Sequence, residues 1–271
     1  MLLCQISDMH IKPERKFAYG VVDTASMLDR CVQQILALPQ RPDAVIATGD
    51  LVDLGRPEEY GVLREILAPL PMPLYVLPGN HDERNALREA FADHTYLRQW
   101  DPFIQYVIDE HDVRLVALDS VIPMRGDGEL CAKRLEWLDR ALSEAHEKPT
   151  IVALHHPPFD TGIGHMDRIG LAGRVLLEGV ISRHPQVERV IAGHLHRAIT
   201  ARFATTVASV CPSPAHQVAL DLAADGADGF VMEPPAFQLH WWNGATLVTH
   251  TAYVGDFDGP YPFRADGKLI D

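Results

Sequence analysis

Long apolar runs and paired cysteines are both missing from this sequence. No apolar stretch in its 271 residues reaches the roughly 18 residues that a membrane-spanning helix needs, so we expect no membrane partner. The first residues turn polar too early for a signal peptide. The four cysteines, at positions 4, 31, 131 and 211, show no paired spacing. Scattered, reduced thiols are typical of cytoplasmic proteins, and we predict that compartment.

A dense run of positive charge is missing too. Asp and Glu number 37 against 24 Lys and Arg, which gives a net charge of −13. Proteins that bind nucleic-acid polymers usually carry a basic stripe, because their affinity comes from displacing counterions on phosphates. We therefore expect no nucleic-acid polymer as a partner. A small anion stays possible, because bound cations can dominate the local field of a metal site.

Residues 1–200 alternate short apolar runs with segments of helical periodicity. The strand candidates are Leu2–Ile6, Ala44–Ala47, Leu74–Leu77, Ile104–Ile108, Arg114–Leu118, Ile151–Leu154 and Val187–Ala192. The helix candidates are Thr24–Leu38, Pro57 to about Ala68, Cys131–Ala145 and Leu171–Ser182. Strands that alternate with helices predict a layered α/β fold. We assign residues 1–200 to one catalytic domain.

Residues 201–271 read as a small β-rich appendage. Phe237–Trp242 and Ala245–Val254 flank Asn243-Gly244, a favoured hairpin turn. Thr206–Val210 and Gln217–Leu222 are two further strand candidates, and the tail from residue 255 is predicted to be irregular. This segment would complete the fold, or form a cap or a subunit contact.

The hairpin carries an apolar cluster of Phe237, Trp241 and Trp242. We expect this cluster to lie outside the catalytic layers, where an exposed apolar patch favours a subunit contact. The sequence therefore predicts a homo-oligomer.

Chemistry-bearing residues are concentrated directly after the predicted strands. The five motifs are Asp8-Met9-His10, Gly49-Asp50, Gly79-Asn80-His81-Asp82, His155-His156-Pro157-Pro158 and Gly193-His194-Leu195-His196. Ligands of open α/β sheets gather beyond the carboxyl ends of the strands. We therefore expect the fold to bring these five loops together.

The five motifs supply carboxylates, one amide and several imidazoles, but no thiolate. Such oxygen and nitrogen ligands suit Mn, Fe, Zn or Co. Asp8 and His10 fall on the same side of an extended strand end, and His194 and His196 do likewise. Asp50 would lie between the two metal positions and could bridge them. Singly, each motif has an ordinary structural reading, such as a turn at Asp50 or an N-cap at Asn80. Their combination favours a metal site.

In this order, the five motifs resemble those of the calcineurin-like metallophosphoesterase superfamily. The resemblance covers Leu2 to Arg197 and implies a four-layer αββα sandwich with two metal ions at the strand ends. More closely, the chain resembles the class III cyclic-nucleotide phosphodiesterases and the bacterial glycerophosphodiesterase. That likeness is carried by Arg41-Pro42-Asp43-Ala44, by Gly55-Arg56-Pro57-Glu58-Glu59-Tyr60 and by Ala215-His216-Gln217-Val218.

The resemblance implies a role for each residue of the site. Asp8, His10 and His196 would bind the first metal, Asp50 would bridge, and Asn80, His155 and His194 would bind the second. His155 is favoured over its neighbour His156, which would then contact the ligands or the substrate. His81 is the candidate for contacting the phosphate or protonating the leaving oxygen. Asp82 would either orient His81 or cap a helix, His216 would reach the site or be an ordinary histidine of the core or surface, and Tyr19 would lie at the mouth.

The implied reaction is hydrolysis of small phosphodiesters, with cyclic nucleotides and glycerophosphodiesters both fitting. Two divalent cations can activate a bridging water, and the resulting hydroxide attacks phosphorus. The cations balance two carboxylates, one hydroxide and one diester monoanion, whereas a monoester dianion would add a negative charge. This balance favours diesters over the alternatives of a phosphomonoesterase or a nuclease. An alternative of another class is a scaffold that has kept the fold and lost catalysis.

Overall fold

The computed structural model describes residues 1–223 and 225–270. Its β-strands, numbered β1 to β17 along the chain, are Leu2–Ile6, Ala44–Thr48, Leu74–Leu77, Tyr106–Ile108, Arg114–Ala117, Gly128–Glu129, Thr150–Ala153, Leu171–Ala172, Val187–Ala192, Ile199–Phe203, Thr206–Val210, Gln217–Val218, Phe230–Val231, Ala236–Trp242, Leu247–Tyr253, Arg264–Ala265 and Lys268–Leu269. Its helices, α1 to α6, are Thr24–Leu36, Pro57–Leu67, Arg84–Ala90, Ala132–Ser143, Gly164–Asp167 and Arg174–Ile181. None of the helices in these residues is both long and apolar enough to cross a bilayer.

The first sheet has five strands in the order β15-β14-β1-β2-β3. β1, β2 and β3 run parallel, with Ile6 beside Ala47 and Thr48 beside Leu77 in the register. β14 is antiparallel to β1, and β15 is antiparallel to β14. The carboxyl ends of β1, β2 and β3 therefore meet at one edge.

The second sheet has six strands in the order β10-β11-β9-β7-β5-β4. Its central strands β5, β7, β9 and β11 are parallel, and antiparallel β4 and β10 form the two edges. Parallel strands need crossover connections, and α4 and α6 supply those between β5, β7 and β9. The carboxyl ends of β7 and β9 are again neighbours.

The two sheets pack face to face, with helices on both outer sides. One apolar core joins the first sheet to α1 and α2, and it includes Leu115 and Ile151 from the inner face of the second sheet. Another core joins the outer face of that sheet, through Val116 and Val152, to α4 and α6. Residues 115 and 116 enter different cores because successive side chains of a strand point to opposite faces. The four-layer αββα sandwich predicted from the sequence is confirmed.

Local sequence explains where the longer helices begin. The side chain of Asp23 accepts a hydrogen bond from the backbone N–H of Ser26 at 3.0 Å and caps α1. Pro57 occupies the first turn of α2, where its missing N–H costs nothing. The Glu59 carboxylate accepts from the Arg56 N–H at 3.0 Å and completes that start.

The hairpin completes the fold, which was one of the predicted alternatives, but the expectation that its aromatic cluster lies outside the catalytic layers was wrong. β14 pairs with β1, so the hairpin belongs to the first sheet and not to a cluster outside the layers. Phe237 is fully buried in the core and Trp242 packs against it, while Trp241 alone is largely exposed, at 43%. Phe237 and Trp241 are four positions apart and share one face of the strand, so they differ in burial because they lie at different positions along β14.

Two smaller predictions also need correction. The strand expected over Gln217–Leu222 ends at Val218, and Leu220 and Leu222 are exposed. The tail predicted to be irregular contains the small hairpin of β16 and β17. Residues after position 200 supply strands to both large sheets, so the β-rich segment is built into the layers.

Candidate metal centre

Adjacent parallel strands deliver the motif residues to one place between the two sheets. Asp8 follows β1, Asp50 follows β2 and Asn80 follows β3 of the first sheet. His155 follows β7 and His194 follows β9 of the second. Because each set leaves its sheet at the carboxyl edge, all five side chains face one cleft.

Strained backbone marks these loops. Five residues of the motifs other than glycine have a positive φ, namely Asp8 at 58°, His10 at 45°, Asp50 at 48°, His194 at 74° and His196 at 54°. Such a conformation is uncommon for residues other than glycine and costs about 1–3 kcal/mol each. It persists only where the surrounding structure enforces it, and it clusters at functional sites.

Three motif glycines make room for candidate ligands. A Cβ at Gly49 would lie 2.4 Å from Nδ1 of His155, and one at Gly79 would lie 2.2 Å from Oδ1 of Asp50. A Cβ at Gly193 would lie 2.1 Å from Oγ of Ser7. No residue larger than glycine could be accommodated at these contacts, so the packing of the site requires glycine at all three positions.

The first group of converging donors contains Asp8, His10 and His196, all buried. The Nε2 atoms of the two histidines lie 3.1 Å apart. Nε2 of His196 is 3.6 Å from Oδ1 of Asp8, and Nε2 of His10 is 3.7 Å from Oδ2 of Asp50. Four donor atoms therefore surround one position.

The second group of donors is built around Asp50 and His155. Nε2 of His155 lies 3.1 Å from Oδ1 of Asn80 and 3.4 Å from Oδ2 of Asp50. The ring of His194 is 5.1 Å from the ring of His155, centroid to centroid. Oδ1 of Asp50 accepts from the His81 N–H at 2.9 Å, which leaves Oδ2 between His10 and His155. One carboxylate oxygen thus faces both groups.

The imidazoles are oriented as metal ligands usually are. Nδ1 of His155 donates to the carbonyl of Thr48 at 2.9 Å, and Nδ1 of His196 donates to that of His216 at 3.2 Å. Nε2 of His194 donates to the carbonyl of Ile169 at 3.1 Å. A ligating histidine typically anchors its other nitrogen on such an oxygen, which leaves the metal-facing nitrogen unprotonated. The residues present therefore fit two divalent ions.

His156 differs from His155 in the groups that its ring nitrogens contact. Its Nδ1 lies 2.8 Å from the hydroxyl of Ser120, and its Nε2 lies 3.1 Å from the carbonyl of Gly126. The ring of His156 also converges with His155 and His194, but its nitrogens contact a hydroxyl and a backbone carbonyl, whereas Nε2 of His155 faces Asp50 and Asn80. The geometry supports His155 as the ligand and places His156 against the rings of His155 and His194.

Burial and neighbouring charges shift the pKa values of the two carboxylates in opposite directions. Burial and the neighbouring Asp50 raise the pKa of Asp8 to about 6. For Asp50 burial acts in the same direction, but His155, His81 and His10 outweigh it and hold its pKa well below the usual range. Against its own burial, the Asp50 and Asp8 carboxylates raise the pKa of His155 to about 9. Asp8 and Asp50 carry like charges and are both buried, and a bound cation would relieve their mutual repulsion.

The other predicted site residues also border this cleft. His81 packs edge-on against His10, with 4.6 Å between ring centroids, and its Nδ1 donates to the carbonyl of Asp53 at 2.7 Å. His216 packs against His196 at 4.6 Å, and Tyr19 packs against His216 at 5.2 Å. His81, His216 and Tyr19 all line the cavity that contains the donor groups.

Both roles predicted for Asp82 were wrong. Its buried carboxylate accepts from the backbone N–H groups of Leu51 and Gly79 and from the hydroxyl of Tyr60. It therefore ties together the loops after β2 and β3, whose N–H groups would otherwise lack partners. The cap of α3 is Glu83, so the ordinary reading of Asn80 as an N-cap is wrong as well.

Sequence reasoning missed three residues at the cleft. Asp53 lies 3.6 Å from Nδ1 of His10 and pairs with Lys12. His165 and Asp228 line the same cavity as the donors. None of these residues directly follows a main-sheet strand in a glycine or histidine motif, so the motif pattern could not single them out. The cavity identifies His165 and Asp228, and the contact with His10 identifies Asp53.

Comparison with known proteins is consistent with this geometry. The family model for calcineurin-like phosphoesterases matches residues 1–198. A protein of Arcobacter nitrofigilis named "Probable glycerophosphodiester phosphodiesterase" is 40% identical over 274 residues, which cover 100% of each chain. A 3′,5′-cyclic adenosine monophosphate phosphodiesterase of Pseudomonas aeruginosa is 34% identical over 73% of this chain and 70% of its own.

A solved structure shows the same fold. A dimetal phosphatase from Danio rerio superposes with a TM-score of 0.68 at 15% identity, covering 94% of this chain and 98% of that one. The sandwich and its donor set are those of a metallophosphoesterase. With the family model matching residues 1–198, the chain belongs to the calcineurin-like phosphoesterase family.

Proposed function

We propose that this protein is a metal-dependent phosphodiesterase that hydrolyses small phosphodiesters, with glycerophosphodiesters and cyclic nucleotides as the candidate classes. The observation that carries the proposal is the position of Asp50, whose Oδ2 lies 3.7 Å from His10 and 3.4 Å from His155. One carboxylate shared by two donor groups is the arrangement that a two-metal hydrolase requires. The names of the relatives supply the two substrate classes.

The proposed ligands follow from the two donor groups. Asp8, His10 and His196 would hold one divalent ion, Asn80, His155 and His194 the other, and Asp50 both. When bound, the ions lower the pKa of a water and neutralise charge on the phosphate oxygens. Iron, manganese, zinc and cobalt all suit this mixture of oxygen and nitrogen donors.

His81 is proposed to donate a proton or a hydrogen bond to the leaving oxygen. Because its Nδ1 donates to the carbonyl of Asp53, its Nε2 is the atom available at the cavity. In hydrolysis, water adds to phosphorus and the bond from phosphorus to one ester oxygen breaks. That oxygen needs a proton or a hydrogen bond, and an imidazole supplies either.

His216 is proposed to act on the same cavity from the other side. Its carbonyl fixes the tautomer of His196, and its own Nδ1 is buried without a hydrogen-bond partner among the described residues. An unpaired buried nitrogen is costly, and a substrate oxygen would relieve that cost. We therefore propose that the ring of His216 contacts the substrate, while its backbone carbonyl orients the proposed metal ligand His196.

The charge around the cavity supports diesters over monoesters. Within residues 1–223 and 225–270, no arginine or lysine lines the cavity that contains the donors. Arg15 pairs with Asp29, and Arg197 pairs with Glu233. A monoester dianion would lack the extra cation that it needs, while a diester monoanion would not.

The test is turnover of bis(p-nitrophenyl) phosphate by the manganese-loaded enzyme. Asp50→Ala should lower kcat/KM more than about a hundredfold, because even partners behind the ligands cost 10–100-fold in such sites. Asn80→Ala should also lower it strongly. Glu136→Ala, at an exposed position of helix α4, is the control and should match the wild type. Wild-type protein that binds less than one ion and stays inert with manganese would instead support a scaffold.

Two further properties remain predictions. A homo-oligomer is still expected, although the buried Phe237 removes part of its original basis. Light scattering at working concentration decides it, and a monomer would contradict the expectation. The cytoplasmic location predicted from the scattered cysteines is checked by fractionating the cells that make the protein.

A further inference from the structure

An irregular segment of the chain is buried throughout beside the first group of donors. Residues 211–216 follow β11 and have no regular secondary structure, yet all six are buried. Such segments usually lie at the surface, because buried backbone N–H and C=O groups need hydrogen-bond partners. The burial of this one therefore requires specific partners inside the fold.

Ser213 lies in the middle of this segment, between Pro212 and Pro214, and is fully buried. A proline has a fixed φ and no N–H, and it disfavours a helical conformation for the residue before it. Of these three residues, only Ser213 can donate a hydrogen bond from its backbone. Its hydroxyl adds a second donor at the same place.

Both donors of Ser213 bind the backbone of proposed metal ligands. Its hydroxyl donates to the carbonyl of Asp8 at 2.8 Å, and its N–H donates to the carbonyl of His196 at 3.0 Å. No other donor among the described residues bonds to either carbonyl. Ser213 therefore joins the loop after β1 to the loop after β9, next to the first group of donors.

The two carbonyls belong to residues with a strained backbone. Asp8 has a φ of 58°, and His196 has a φ of 54°. Such conformations persist only where surrounding contacts enforce them. The carbonyl carbon and the side chain of a residue share one Cα, so holding the carbonyl also restrains the direction of the side chain. The two bonds from Ser213 therefore restrain two of the three ligands proposed for one ion.

The same serine shapes the turn that precedes His216. Its Oγ accepts from the N–H of Ala215 at 3.0 Å, and its carbonyl accepts from Nε2 of Gln217 at 2.9 Å. A serine hydroxyl that bonds to the backbone two residues on is typical of a turn. The carbonyl of His216, directly after this turn, accepts from Nδ1 of His196. Ser213 therefore holds His196 by two routes, one direct and one through His216.

The second group of donors is held by other residues. The carboxylate of Asp82 accepts from the N–H groups of Leu51 and Gly79 in the loops that carry Asp50 and Asn80. Within the part of the chain that the structure describes, Ser213 forms no hydrogen bond with the second group. Loss of the Ser213 hydroxyl should therefore affect the two metal positions unequally.

We propose that Ser213 is a positioning residue that sets the affinity of the metal position formed by Asp8, His10 and His196. The proposal rests on the proposed two-metal function and adds to it a residue that lies outside the five ligand motifs. Ser213 acts through the carbonyls of Asp8 and His196 and not by contact with the ion.

The test is a manganese titration in which free Mn²⁺ is measured by electron paramagnetic resonance. Ser213→Ala removes the hydroxyl and leaves the carbonyl of Asp8 without its donor. We expect the dissociation constant of one ion to rise about tenfold, as for other residues that orient metal ligands, and that of the other ion to stay within about twofold. Ser213→Cys places a weaker donor at the same position and should give an intermediate constant.

Two single-ion variants show which ion is affected. His155→Ala should retain the ion among Asp8, His10 and His196, and the addition of Ser213→Ala should raise its dissociation constant about tenfold. His196→Ala should retain the other ion, and the same addition should leave its constant unchanged.

Ser209→Ala is the matched control. Ser209 is also a buried serine, on β11, but its hydroxyl has no hydrogen-bond partner among the described residues. This variant should bind both ions with wild-type constants. The melting temperature of the metal-free protein shows whether Ser213→Ala is folded, and Ser213→Cys carries the comparison if it is not.

Failure of the proposal is distinct from failure of the enzyme assignment. Wild-type constants for both ions in Ser213→Ala, or an equal loss for both, would overturn the role of Ser213 and leave a two-metal enzyme. A tenfold effect in the His196→Ala background would overturn it as well. A wild-type protein that binds less than one ion and stays inert toward bis(p-nitrophenyl) phosphate would instead remove the proposed function, and this role with it.

Discussion

At the scale of single residues, Asp50 has the most demanding position. Its backbone is held at a positive φ of 48°, one carboxylate oxygen is fixed by the N–H of His81, and the other faces His10 and His155. Gly79 leaves the space that this carboxylate occupies. The strained backbone, the space left by Gly79 and the hydrogen bond to Oδ1 together leave Oδ2 facing both donor groups, which is expected where function and not stability determines the structure.

Alanine variants of His155 and His156 should differ in the number of metal ions that each chain binds. His155→Ala removes a nitrogen that faces Asp50 and Asn80, so we expect about one ion to be lost per chain, along with nearly all turnover. His156→Ala should keep both ions, because both ring nitrogens already bond to Ser120 and Gly126. Metal content by mass spectrometry measures the difference.

The melting temperature is the control for this pair, because both side chains are fully buried and either variant loses packing. Loss of an ion from His156→Ala, with retention by His155→Ala at equal stability, would reverse the assignment.

Sequence reasoning worked for residues whose type and position both carried information. Asp8, Asp50 and His194 each lie two positions after a strand, and the structure brings them together. Asp82 also follows a strand, yet its role depends on the hydroxyl of Tyr60, 22 positions away. Asp228 lies on an extended loop with no motif. Contacts of this kind depend on tertiary packing, which one sequence does not display.

At the scale of elements, a buried amide links the strands that carry the proposed ligands. Gln5 on β1 donates from Nε2 to Oγ1 of Thr48 on β2 and to the carbonyl of Ala192 on β9, both at 2.9 Å. Its Oε1 accepts from Nε2 of His240 at 3.0 Å. Thr48 and Ala192 each lie two residues before a proposed ligand. Gln5 therefore fixes three strand ends relative to one another.

We expect Gln5→Leu to weaken metal binding without abolishing the fold. The variant removes the link between the two sheets next to the ligands, and we expect about a tenfold rise in the dissociation constant for manganese, as for other supporting partners of metal ligands. Calorimetric titration measures the constant, and thermal unfolding of the metal-free protein measures stability.

Gln238→Leu is the matched control for this experiment. Gln238 is also a buried amide between the sheets and is the register neighbour of Gln5, but it donates to the carbonyl of Val210 on β11, a strand that carries no proposed metal ligand. Each substitution should cost stability on the scale of one or two hydrogen bonds, about 1–2 kcal/mol. Equal metal affinity in the two variants would show that Gln5 is only a structural residue.

Helices and strands were predicted best where the hydrophobic periodicity and the flanking residues indicated the same element. α1 was expected to end at Leu38 and ends at Leu36, and β9 was expected and found over Val187–Ala192. The hairpin of β14 and β15 was found from its Asn-Gly turn, but its partner strand was not. A turn is encoded locally, whereas pairing with β1 joins residues more than 230 positions apart.

At the scale of the whole molecule, a buried histidine should make the fold sensitive to acid. His240 is fully buried between Gln5 and Thr249, and burial, assisted by the Arg189 charge, lowers its pKa to about 3. In the unfolded chain its pKa is about 6.5. The unfolded state therefore binds more protons in this window, so stability rises with pH. The contribution is complete above about pH 6.5 and declines as pH falls toward 3.

His240→Asn should flatten this dependence. Below pH 6.5, the free energy of unfolding of the metal-free protein should fall more slowly with decreasing pH in this variant than in the wild type. The two slopes should differ by up to about 1.4 kcal/mol per pH unit. Urea unfolding at several pH values measures the slope. His146→Asn, at a position whose side chain is 75% exposed, is the control and should keep the wild-type slope. A wild-type slope in His240→Asn would contradict the assignment.

The two sheets of the molecule supply different parts of the proposed centre, and neither set of ligands is complete alone. Asp8, Asp50 and Asn80 come from the first sheet, and His155 and His194 come from the second. Relative movement of the sheets would therefore change the distances between ligands. The buried amides between the layers and the shared core oppose such movement.

Anomalous diffraction from crystals of the manganese-loaded protein tests the two-metal centre most directly. We predict two peaks, one among Asp8, His10 and His196 and the other among Asn80, His155 and His194, each within bonding distance of Oδ2 of Asp50. A single peak, or two peaks of which one lies beyond the reach of Asp50, would contradict the shared carboxylate and the mechanism built on it.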